Sequence, residues 1–193
     1  MTDEQLVTEM RGGRQLAVEH MIYRYHAPIF AYLYRMTNSK PLAEDLTQEC
    51  FLRAIEAIAA GRLPEALRPW LYTIAGNLCR DHWRRSSTRR ETLKDDMELG
   101  LATDSVVSIL ERQAEREQVV QALQQLDPDR RELIVLRFYQ ELKLHEIALI
   151  LDVPLSTVKS RLYQTLGKLH SALEEEELMP VEAAVTKNRR GNM

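Results

Sequence analysis

The stretch RPWLYTIAGNLCRDHWRRSSTRR, residues 68–90, decides how the rest of the chain is read. It opens on arginine, proline and two aromatics, continues as an apolar-striped helix and ends in arginines. Trp70, Ile74, Leu78 and Asp81 recur at four and three, so they share one side of a helix. Tyr72, Arg80 and Arg84 fall elsewhere on its circumference. Arg80, Arg84, Arg85, Arg89 and Arg90 are opposed by Asp81 alone, so the helix is strongly basic at its end. A helix of this kind either packs a core and solvates its charged end, or holds phosphates and stacks on bases. The stretch by itself leaves both open.

Composition narrows the class. The chain has 193 residues, 45% hydrophobic, which is enough to bury a core in one domain or two small ones. Good helix formers dominate and β-branched runs are scarce, so the expected fold is all-α. The net charge of −3 is uneven: residues 1–90 hold 13 Lys/Arg against 10 Asp/Glu, and residues 91–193 hold 13 against 19. The positive surface therefore sits in the half that contains the basic helix. Cys50 and Cys79 form no C-x-x-C and no disulfide framework. No signal peptide opens the chain, and no apolar run approaches the roughly 20 residues of a membrane span. The expectation is a cytoplasmic protein with no membrane insertion.

On the N-terminal side, Thr2 or Asp3 caps a short helix to about Met10, broken at Gly12-Gly13. A longer helix is predicted from about Arg14 to Met36, with Leu16, His20, Tyr23, Ala27, Phe30, Leu33 and Tyr34 as its stripe. His20 and His26 read as packed side chains rather than metal ligands. Ser39 caps the next helix, with Pro41 in its first turn. That helix runs to about Ala60 and buries Leu42, Leu46, Cys50, Ala54 and Ile58. Asp45, Gln48, Glu49 and Leu52 form a partly acidic exposed face with Phe51 beside it. An exposed phenylalanine among carboxylates points to a protein partner, and a merely solvated face is the plainer reading. Residues 61–68 form a loop before the basic helix.

On the C-terminal side, residues 89–108 are polar and weakly periodic, a flexible linker. Asp127-Pro128 starts a helix with a cap and a first-position proline. Leu144 to Leu162, LHEIALILDVPLSTVKSRL, has the dimensions of a helix-turn-helix. Ile147, Ala148 and Leu151 face inward on its first helix, and Val158 and Leu162 on its second. Asp152 takes the turn, because Asp tolerates a left-handed backbone. Ser156, Thr157, Lys159, Ser160, Arg161 and Gln164 remain outside on the second helix. Short polar residues at a helix N-terminus followed by Lys and Arg suit phosphates and base edges. An αα-hairpin with a solvated face is the alternative. No catalytic constellation or cofactor motif emerges, and Cys79 with His82 supplies too few ligands for a metal.

Two of these motifs stand in a telling order. AEDLTQECFLRAI (43–55) followed by RPWLYTIAGNLCRDHWRR (68–85) resembles region 2 of bacterial sigma factors. LDPDRRELIVLRFYQELKLHEIALILDVPLSTVKSRLYQTLGKL (126–169) resembles region 4. Together they look like an extracytoplasmic-function sigma factor of the sigma-70 family. The resemblance implies two helical domains, region 2 over 1–88 and region 4 over 109–175, joined by the linker 89–108; the polar end of the chain, 176–193, reads from its composition as a disordered tail. It implies no enzyme activity but a bacterial subunit that binds core RNA polymerase, through its β′ clamp and β subunits, and promoter DNA. An anti-sigma factor is the further partner implied.

By position, Asp45, Gln48, Glu49 and Phe51 match the helix that docks on the β′ clamp. The loop 61–68 matches the segment that captures a flipped −10 base. Trp70, Tyr72, Asn77, Arg80 and Arg84 match the −10 recognition and melting helix. Ser156, Thr157, Lys159, Ser160 and Arg161 match the −35 reading helix. Three residues depart from the family pattern: Gly76 replaces a bulkier residue and admits close approach of a neighbour or DNA, Lys143 replaces a Ser or Thr cap, and Asp152 replaces the turn glycine. The rival expectation is a stand-alone helix-turn-helix regulator that binds operators as a dimer.

Overall fold

The computed structural model describes residues 1–88 and 120–177. The expected linker 89–108 and most of the expected tail lie outside the described residues. Helices α1 (Asp3–Arg11), α2 (Gln15–Thr37), α3 (Lys40–Ala59) and α4 (Leu67–Thr88) come first. A helical segment at 120–125 leads to α5 (Pro128–Ile134), a π-helical turn (Val135–Tyr139), α6 (Leu144–Leu151) and α7 (Leu155–Glu177). Among the described residues there is no strand. Two compact units result. One holds 1–88 with 132–159; the other holds 120–131 and 160–177.

In the first unit α2 is the central helix, packed against α1, α3 and α4. Its ends are set by local chemistry. The Thr2 hydroxyl caps α1 and Gln5 returns the bond to the Thr2 N–H at 2.7 Å. Asn38 takes a left-handed conformation (φ 53°) after α2 and Ser39 caps α3. Tyr25 and Arg24 both bind the Asp3 carboxylate, clasping α1 to α2.

The buried face of α2 differs from the expected one. Ala17, Met21, Tyr25, Ile29, Tyr32, Leu33 and Met36 are buried, whereas Leu16, His20, Tyr23 and Ala27 are exposed. Apolar residues lie on both sides of α2, so two interleaved stripes have helical spacing. The neighbours choose between them.

The helix-turn-helix pair is built as its spacing predicts. Asp152 is left-handed (φ 52°) in the turn, and Ile147, Val158 and Leu162 are buried. Ile150 is also buried, while Ala148 and Leu151 are only half-buried. Lys143 donates no hydroxyl cap, but its N–H donates to the Glu146 carboxylate at 2.7 Å, which restores half of a capping box. In the second unit, Asp127 accepts from the Arg130 N–H at 3.0 Å and starts α5 as a cap. The Arg131 guanidinium donates to the carbonyls of Leu123, Gln124 and Leu126, closing the end of the preceding helical segment.

Candidate nucleic-acid interface

α4 starts at Leu67, two residues before the expected proline, because Trp70 N–H already donates to the Ala66 carbonyl. The preceding chain turns at Gly61, whose φ of 75° suits glycine. Leu67, Pro69, Leu71, Tyr72, Ala75, Gly76, Leu78 and Cys79 of α4 are buried. Trp70 and Ile74, expected on the packing side, are only half-buried. They line an open cavity of about 290 Å³ between α3 and α4, together with Arg53, Ala57, Arg62 and Asn77. This groove has an aromatic wall, two guanidinium side chains and an amide. Arg53 is steadied by Glu49 at 2.8 Å. Arg53 and Arg62 belong to no motif of α4. They come from α3 and from the loop before α4, and meet Trp70 only in space.

Tyr72 requires a correction. It is 1% exposed, its ring meets Tyr32 edge-on, and its hydroxyl donates to Gln140 Oε1 at 2.6 Å. Burial pushes its hydroxyl up to about 12. In this arrangement Tyr72 is a packing residue and presents no face to DNA. The other expected −10 residues are more accessible. Asn77 is exposed, and its amide oxygen accepts from Arg80 at 2.8 Å. Arg80 also donates to Glu132 at 2.6 Å. Arg84 reaches Asp81 at 2.6 Å across one turn, and Arg85 is exposed beside it. A surface pair of this kind is worth at most about 1 kcal/mol.

On α3, Asp45, Gln48 and Leu52 are exposed and Glu49 is half-exposed, so they share one open face. Phe51 does not belong to it. It is 5% exposed and stacks on His26 with centroids 6.1 Å apart. Phe51 extends the buried row of Ala43, Thr47, Cys50 and Ala54, which makes the packed face wider than the expected stripe. Leu52 is 56% exposed beside them, and Ile55, three residues on, is 37% exposed. On α7, Ser156, Lys159 and Ser160 are exposed and Thr157 and Arg161 are half-exposed. All five expected −35 residues thus reach the surface, with Val158 between them as the anchor.

The family description "Sigma-70 region 2" matches residues 21–89, and "Sigma-70, region 4" matches residues 116–169. The sigma factor YlaC of Bacillus subtilis is 31% identical, over 83% of this chain and 96% of its own. The ECF sigma factor SigL of Mycobacterium tuberculosis is 30% identical, over 85% and 93%. The chain belongs to the extracytoplasmic-function sigma factors of the sigma-70 family. It is a sigma factor, and its work is promoter-specific transcription initiation with RNA polymerase. A solved structure of the sigma factor RpoE with the anti-sigma factor NepR, from Bartonella quintana, shares the fold. Its TM-score is 0.64 at 19% identity, over 81% of this chain and 96% of that one. Among the described residues of this sigma factor, no helix is long and apolar enough to cross a membrane.

Proposed function

We propose that the sigma factor divides its promoter contacts among three surfaces. The groove lined by Trp70, Ile74, Asn77, Arg53 and Arg62 takes a base flipped from the −10 element. Its volume of about 290 Å³ is at the small end of ligand cavities, the scale of one planar heterocycle. An aromatic wall offsets the unstacking cost of a few kcal/mol, and Asn77 and the arginines supply hydrogen bonds to base and phosphate. This groove is the observation that carries the assignment. Arg80, Arg84 and Arg85 hold the adjacent backbone. Ser156, Thr157, Lys159, Ser160 and Arg161 read the −35 element.

Asp45, Gln48 and Glu49, with Leu52 rather than Phe51, dock on core polymerase. Region 2 then covers 1–88 and region 4 covers 109–175, on either side of the linker. Polymerase performs the chemistry and the chain itself is no enzyme. It acts in the cytoplasm, and an anti-sigma factor is its regulatory partner.

Run-off transcription with purified core polymerase on genomic fragments tests the reading. Asn77→Ala with Arg62→Ala is expected to slow promoter opening about tenfold, the scale of one good base contact, with core binding unchanged. Unchanged opening removes the groove from the mechanism. A dimer that binds duplex DNA tightly without polymerase overturns the reading as a whole.

A further inference from the structure

α2 carries two apolar rows, and the fold uses one of them. The row from Ala17 to Met36 is buried where α1, α3 and α4 pack on α2. The other row, Leu16, His20, Tyr23, Ala27, Phe30 and Tyr34, lies on the far side of the helix. Leu16 is 68% exposed and Tyr23 91%. His20 and Ala27 are exposed as well. Phe30 and Tyr34 are half-buried and stack on each other, with ring centroids 6.1 Å apart. An aligned row with three aromatics differs from the single apolar residues scattered over an ordinary surface.

The steps along this row alternate between four and three residues. That is the repeat at which one helix keeps its apolar residues on a straight seam against another helix. The row holds no carboxylate, amine or guanidinium, unlike the face of α3 that carries Asp45 and Glu49. Its residue sizes complement each other about its midpoint. An antiparallel copy sets Tyr23 over Ala27 twice, His20 beside Phe30 and Leu16 beside Tyr34. A parallel copy would set Tyr23 against Tyr23 and leave a gap at Ala27, which close packing disfavours.

We propose that the exposed row of α2 is a self-association face, and that its occupant is a second copy of this chain, antiparallel across a two-fold axis. Tyr23 is the anchor. At 91% exposure it brings nearly all of the about 150–250 Å² that an aromatic side chain can bury. With the rest of the row, the two copies bury roughly 1,000 Å², the low end for a specific interface. The pair is therefore weak and reversible, and it forms as the concentration of the chain rises. The Trp70 groove and the exposed polar residues of α7 supply none of its contacts. It is thus distinct from a dimer that grips duplex DNA.

The test is sedimentation equilibrium of the full chain without polymerase or DNA. The apparent mass is expected to rise from monomer towards dimer with concentration. Tyr23→Glu changes a surface position, so circular dichroism should show an intact fold. It is expected to weaken the pair about tenfold or more, as loss of an aromatic anchor does. Leu149→Glu, at a 65% exposed site on α6, is expected to leave the pair unchanged. Single variants Tyr23→Cys and Ala27→Cys read the orientation, because the native Cys50 and Cys79 are buried. Mixed together and oxidised, the two are expected to cross-link faster than either does alone. A monomer at every concentration overturns the proposal and leaves the row to a helix of another protein. A dimer that survives Tyr23→Glu, or that Leu149→Glu dissociates, uses a different face and overturns it too. Cross-linking no faster in the mixture refutes the antiparallel arrangement.

Discussion

Replacing Gly76 with alanine sets two effects of opposite sign against each other. Alanine in a helix interior is favoured over glycine by about 1 kcal/mol. The added methyl would approach Glu132 Oε1 to 2.5 Å, which forces the carboxylate to move. That oxygen ends a flexible side chain, but Tyr32 and Arg80 tether the carboxylate at 2.8 and 2.6 Å. A hydrogen bond to a charged group is worth roughly 1.5–3 kcal/mol, and a buried group left unpaired costs a similar amount. The partly exposed Arg80 regains water, so the lower end applies to its bond. The expected net is a loss of about 2 kcal/mol, or about 4–8 °C in Tm for a chain of this size.

Urea unfolding followed by circular dichroism measures it, in the wild type and in a Glu132→Ala background. Without the carboxylate the clash disappears, and Gly76→Ala is expected to stabilise by about 1 kcal/mol. The two changes then couple by about 3 kcal/mol. An equal gain in both backgrounds refutes the seat of Glu132 under Gly76.

Three further outcomes follow from the geometry. Burial pushes the Cys50 and Cys79 thiols from 9.0 up to about 12, so both should resist Ellman's reagent at pH 8 until the chain unfolds. Because the folded state holds these protons more tightly, their contribution is intact below pH 9. It is lost as pH rises from 9 towards 12, by about 1.4 kcal/mol per pH unit per thiol. A native chain that is alkylated rapidly at pH 8 contradicts that burial. Phe51→Ala should cost about 3–5 kcal/mol of stability. Leu52→Ala should leave stability within about 1 kcal/mol and weaken core binding, so the opposite pattern in a polymerase pull-down and urea titration returns Phe51 to the interface. Changing Lys159 and Arg161 to Ala should weaken −35 duplex binding by holoenzyme and lower its salt slope by about 1 for each phosphate no longer neutralised. An unchanged slope removes both from the backbone.

Much of this protein is legible in its sequence, and the reason is local. Helix caps at Thr2, Ser39 and Asp127, the left-handed Asp152 turn and the spacing of Val158 and Leu162 are decided within a few residues of chain. Chain neighbours supply those bonds, so the sequence carries them. Which face of a helix is buried is less secure wherever apolar residues occupy two sides. On α2 the expected stripe holds only towards its end, where Leu33 is buried, while Leu16, His20, Tyr23 and Ala27 lie in solvent, and on α3 Phe51 turns inward. Periodicity offers two registers there, and only packing against neighbouring helices selects one.

The α4 helix divides along the same line. Its helicity, its basic end and its place between the partly acidic α3 and a helix-turn-helix follow from sequence alone. The groove around Trp70 and the pairing of Arg80 with Glu132 do not. Arg53 and Arg62 reach the groove from α3 and from the loop before α4, and Glu132 lies 52 residues beyond Arg80 and 100 beyond Tyr32. Gly76 is the single local trace of that distant carboxylate: a glycine in a helix interior is unfavourable unless something must come close. The chain alone marks the vacancy, and only the tertiary structure names what fills it.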